Sequence, residues 1–105
     1  MKESDWKLFR EIKENAIEQF CRVALSEFGE IINNEDQSTH ERYLYLYKIV
    51  DNTNRKMSLL FDGHSRSKAW LQLLAIRGEG LANERLVSEL SEEFQQQTDP
   101  SRAKY

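Results

Sequence analysis

The side chains able to do chemistry in this 105-residue chain are few: His40 and His64 are its two histidines and Cys21 its one cysteine. A zinc-protease helix needs His-Glu-x-x-His and a di-iron bundle needs Glu-x-x-His on two helices, and neither spacing occurs. A calcium loop begun at Asn33 would place Leu44 at the twelfth position, which requires a glutamate, and Ser38 at the sixth, which requires glycine. Ser65 and Ser67 have only His64 and Asp62 beside them, a group too compact for a nucleophile, base and orienting acid. Gly78-x-Gly80 is too short to cradle phosphate and reads as a helix stop. Cys21 lies beside Ile17, Phe20 and Ala24, where a thiol acts as a small buried hydrophobe.

Two features keep a trace of chemistry. Lys13 and Glu27 are charged residues within the apolar arc of the first helix, the one hint of a bundle-core pocket. His64 falls on an apolar seam, where its titration near neutrality would make association pH-dependent, although a partly exposed kink residue is the plainer reading. No catalytic residue, metal ligand or cofactor site is assigned, and a non-enzymatic protein is expected.

Surfaces offer more than sites. Tyr45 and Leu59 fall off the apolar arc of the second helix, among Lys48, Asn52, Arg55 and Lys56. A tyrosine presents large area with few rotors to freeze, so these residues read as a contact surface, or else as two scattered exposed hydrophobes. Lys48, Arg55 and Lys56 also form a basic face that would serve a nucleic-acid-binding regulator. A net charge of −3 makes the chain a poor polyanion trap, and pairing of these cations with Glu11, Glu14, Glu18 or the Glu89, Glu92 and Glu93 cluster is the favoured reading.

The elements that must carry these residues are helices. Trp6, Phe9, Ile12, Ala16, Ile17, Phe20, Val23, Ala24, Phe28 and Ile31 recur at steps of three and four, giving one helix from a cap at Ser4 or Asp5 to about Ile32. Ser38-Thr39-His40-Glu41 has the capping-box spacing that starts a second helix. Its tyrosine-rich run Tyr43 to Val50 also suits a strand, but the cap and a seam through Tyr43, Leu46, Val50, Met57, Leu60, His64, Leu71 and Leu74 favour helix.

That seam keeps phase through Asp62-Gly63, so a continuous helix to Arg77 is preferred over a break near Gly63. A continuous helix of about 38 residues would span nearly 60 Å, against about 42 Å for helix one. Its overhang, Trp70 to Ile76, is apolar all round and should be enclosed. Asn83 caps a last helix carrying Leu86, Val87, Leu90 and Phe94.

The expectation is an all-α helical hairpin or bundle: two long antiparallel helices plus a short C-terminal helix in one domain, residues 1–97, followed by a flexible polar tail, 98–105. A second copy would cover the overhang and complete a four-helix bundle, so a homodimer is expected, with another protein as a further partner. Its interface is assigned to Tyr43, Tyr45, Leu46, Val50, Met57, Leu59, Leu60, Trp70, Leu71 and Leu74. The absence of an apolar span of roughly 18 residues argues against a membrane, and a lone cysteine suits the cytoplasm.

Overall fold

The computed structural model describes residues 1–102, and among them every regular element is helical. Helix α1 (Glu3–Ile32) and helix α2 (Thr39–Phe61) form an antiparallel hairpin. A linker and a short 3-10 turn lead to α3 (Ala69–Gly78), followed by α4 (Glu84–Ser88), α5 (Glu92–Gln97) and a last 3-10 turn over Pro100–Arg102. Residues 43–50 lie within α2, so the strand alternative falls away.

Helix ends follow their local chemistry. The Ser38 hydroxyl accepts the Glu41 N–H at 3.1 Å, which satisfies one of the donors left over at the start of α2. Asn83 likewise accepts the N–H groups of Arg85 and Leu86 at 3.0 and 3.2 Å. At the start of α1 the expected cap by Ser4 or Asp5 does not form: the N-cap position is Lys2, and its side chain makes no capping bond. Asp5 is instead buried and accepts both the backbone N–H and the hydroxyl of Ser91, at 2.8 and 2.6 Å. That contact helps explain why the expected last helix is two: Ser91 is held out of helical pairing and caps α5 through Phe94 N–H.

The preferred continuity of the second helix is overturned. It ends at Phe61; Asp62 is extended and Gly63 takes φ +80°, a left-handed conformation open to glycine and strained for other residues. The chain then doubles back, so α3 lies against α1 instead of extending as an overhang. Only the Ala69, Leu73 and Ile76 side of α3 is enclosed, while Trp70 and Leu71 project outward.

The hydrophobic core therefore sits at one end of the molecule. Phe9, Ile12 and Ala16 of α1 meet Leu60 and Phe61 from the end of α2, the three buried residues of α3, and Leu86, Val87, Leu90 and Phe94. This end is here termed the foot. Thr98 is fully buried, its hydroxyl donating to Phe94 O at 2.8 Å and accepting from Arg77 at 2.9 Å, and Pro100 packs over Gly78. The tail expected to be free from 98 is thus anchored at Thr98 and Pro100, while Ser101 and Arg102 are exposed; residues 103–105 lie outside the described residues.

Beyond the foot the hairpin continues alone. Between Ala16 and Leu60 no residue is buried: Ile17, Phe20 and Met57 still pack against the core and Lys56 reaches Glu79, but toward the tip α1 and α2 have only each other to pack against. This arm takes up about 24 Å of the molecule at about 1.5 Å per residue, in an overall envelope of 53 × 26 × 23 Å.

Candidate protein-interaction surface

Along the arm, Phe20, Ala24, Phe28 and Ile31 of α1 face Leu46, Ile49, Val50, Thr53 and Met57 of α2, and all of these are half-buried. Three of the residues assigned to an interface from sequence, Leu46, Val50 and Met57, thus lie largely on the hairpin's internal seam. Leu60 belongs to the foot core and Leu74 is half-buried on α3. Tyr43, Tyr45, Leu59, Trp70 and Leu71 remain exposed, but they do not form one patch.

A helix advances about 100° per residue, which places Tyr43 and Tyr47 on one flank of α2 and Tyr45 on the other. On α1 the matching flank carries Leu25 and Ile32, with half-buried Cys21 and Phe28 beside them. The first face is therefore an apolar stripe in which Leu25 is 67% exposed, Tyr43 67% and Tyr47 70%. Leu25, Ile32 and Tyr47 were not assigned to an interface from sequence. The available signal was their phase: each lies roughly a quarter turn from the seam, on the same side once the two helices run antiparallel.

The opposite face is a groove of about 830 Å³ near the tip, bordered by Glu27, Glu30 and Glu41 as well as Ile31, Tyr45 and Lys48. It runs toward the foot past Val23 and Ala24 to Leu81. Here Glu27 is exposed, whereas Lys13 is buried in the foot, some 21 Å along α1 at about 1.5 Å per residue. The two charges that hinted at a core pocket are not brought together.

Leu59 and Leu71 line a separate shallow cleft beside the linker, together with Gln72 and His64. Of the basic face, Arg55 pairs with Asp51 at 3.1 Å and Lys56 with Glu79 at 3.2 Å, while Lys48 stands at the groove rim. The cations are thus partly answered within the chain, by acids other than the ones expected.

Lys13 fastens the linker. Its ammonium donates to Gly63 O at 2.7 Å and lies 3.3 Å from His64 Nδ1. The His64 ring packs on Trp6 and Phe9, and Arg66 covers Trp6 while pairing with Glu3 at 2.6 Å. Burial pushes the Lys13 pKa below its ordinary value against the pull of Asp62, and burial, followed by the charges of Lys13 and Arg10, lowers that of His64. The Lys13 ammonium is spent on linker backbone and an imidazole, an arrangement that positions a loop.

Among the described residues no group of three or more His, Cys, Asp or Glu is arranged to hold a metal ion, and no helix is long and apolar enough to cross a membrane. Comparison with protein-family models, with curated proteins and with solved structures finds no match to this chain. Function must be argued from the surfaces themselves.

Proposed function

We propose that this protein is a non-enzymatic interaction module that works by docking its arm onto helices of another polypeptide chain. One observation carries the reading: more than half of α1 and α2 projects from the foot with no buried side chain, yet presents Leu25, Ile32, Tyr43 and Tyr47 to solvent. Two helices alone bury little surface, and helical stability in proteins comes mainly from packing of an apolar stripe. Helices from a partner, a second copy included, complete the bundle that the arm begins. Aromatic residues at the centre of such a contact suit its energetics. The single free cysteine suits a reducing compartment such as the cytoplasm. Against a nucleic-acid regulator stand the pairing of Arg55 and Lys56 with acids of the chain and the net negative charge.

Hydrogen exchange tests the reading. In dilute protein, amides of residues 17–32 and 39–56 should exchange at least about a hundredfold faster than those of Phe9–Ala16 and Leu73–Ile76, since regions with few buried apolar contacts open at low free energy. Arm amides protected as well as the foot in a monomeric chain would show that the arm needs no partner, and the proposal would fail.

A further inference from the structure

Resting on the reading of the arm as a docking element, we infer that its groove face takes an amphipathic helix from a different protein. That helix carries a row of lysine or arginine along the flank turned to α1.

The groove has the dimensions of a helix seat. Its tip section and its continuation toward Leu81 are lined on α1 from Gln19 to Asn34, about 22 Å at about 1.5 Å per residue, or roughly four helical turns. Val23, Leu44 and Tyr45 are exposed along it and Ile31 is half-buried. Val23 and Ile31 come from α1, Leu44 and Tyr45 from α2, so a third helix laid between the two would cover apolar side chains on both walls. Such a seat selects apolar residues at three- and four-residue spacing.

Charge decides the rest. On the α1 wall the ionisable side chains are Glu27 and Glu30, both exposed and neither in an ion pair among the described residues. The last turn of α1 has no basic residue, so the negative end of the helix dipole adds to these carboxylates. Nearby cations leave the wall unanswered. Arg42 is half-buried and spends a guanidinium N–H on Ile32 O, Lys56 pairs with Glu79 at 3.2 Å, and Lys48 shares the α2 wall with Glu41, which leaves that side balanced.

A helix with cations one turn apart on the facing flank meets Glu27 and Glu30 together, whereas an acidic helix meets them with like charge. A second copy, with its net charge of −3, is a poorer occupant for the same reason.

The test is fluorescence anisotropy of a labelled leucine–lysine helix with its leucines on one face, about 18 residues long so as to fill four turns. The intact protein is titrated into it from about 1 to about 500 µM, a range that brackets micromolar association. Binding in roughly the tens of micromolar is expected, as suits a small interface. Glu27→Lys combined with Glu30→Lys should weaken it at least about tenfold and confer binding of the matching leucine–glutamate helix, a gain that requires a folded arm. Glu11→Lys combined with Glu14→Lys makes the same change in net charge at exposed positions of α1 outside the groove, and should leave affinity within about threefold, because screening blunts charges at that distance. Tyr45→Ser should weaken binding at least about fivefold by removing apolar area from the floor.

Binding weakened as much by the Glu11 and Glu14 changes as by the groove changes, binding indifferent to all of them, or none by the top of the titration overturns the inference. Hydrogen exchange on the free arm then separates the two ideas: a rapidly exchanging arm leaves the docking reading standing with a different occupant, and a protected arm removes both.

Discussion

Leu59 and Leu60 are adjacent, chemically identical and set in the same helix, yet the first is 87% exposed and the second 6%. Truncating each to alanine isolates what burial in the foot contributes. At Leu60 nearly the whole transfer free energy of the lost methyls applies, along with a cavity between α1 and α2, and Leu→Ala changes of this kind cost about 3 kcal/mol. At Leu59 only about an eighth of the transfer contribution applies, roughly 0.3 kcal/mol, and alanine's higher helix propensity offsets most of it. Urea unfolding followed by circular dichroism at 222 nm measures both. With a slope near 1.5 kcal/mol per M, Leu60→Ala should lower the midpoint by about 2 M and Leu59→Ala by less than about 0.3 M. The slope should stay constant, since neither change alters the surface exposed on unfolding. Equal effects, or a loss above about 1 kcal/mol at Leu59, would mean that α2 is rotated from the phase described here. The assignment of residues to the two arm faces would then fail with it.

Two other perturbations probe the foot. Asp5→Ala removes the acceptor for the Ser91 N–H and hydroxyl, and should cost about 2 kcal/mol because a part-buried donor is left unpaired; thermal unfolding indistinguishable from wild type would refute the contact. The second concerns pH. Because the His64 pKa is lowered in the fold, by burial and then by Lys13 and Arg10, the unfolded chain binds its proton more readily. The associated stability is fully present above the ordinary value of about 6.5 and is lost as pH falls from there through the lowered folded value. Urea midpoints should accordingly drop as the pH falls below about 6.5 in the wild type and drop less in His64→Gln, which accepts from Lys13 without titrating; parallel profiles for the two proteins would count against the Lys13–His64 contact.

Helix chemistry near the chain was legible in the residues. The end of α1 near Ile32, the Ser38 and Asn83 caps and the stop at Gly78 to Gly80 all follow from side-chain types and three-and-four spacing. The break at Gly63 was not, and the reason is physical. Apolar phase reports which side of a helix is greasy, and the stripes of α2 and α3 happen to stay in register across the linker, so the pattern reads the same whether the axis runs straight or folds back. Trp70 was misplaced for the same cause: an all-round apolar segment implies enclosure when it overhangs, but α3 lying on α1 needs to cover only Ala69, Leu73 and Ile76. The split of the last helix depended on Asp5, 86 residues away from Ser91 and outside the reach of any local pattern. The arm's tyrosine face was half visible, through Tyr43; Leu25, Ile32 and Tyr47 emerged only once two helices were set side by side.

That Asp5–Ser91 contact bears on the order in which the molecule assembles. The foot holds the core but draws on both ends of the chain, with Lys13 reaching Gly63 and Glu3 reaching Arg66 besides. The arm joins neighbours in sequence but has little to hold it. Closing a loop of that span costs about 4 kcal/mol in chain entropy beyond a constant. Local structure thus forms where it gains least and non-local structure where it gains most. A nascent chain would carry its tyrosine stripe without a settled foot until the segment around Ser91 arrives, and folding should be slower than the all-helical content implies.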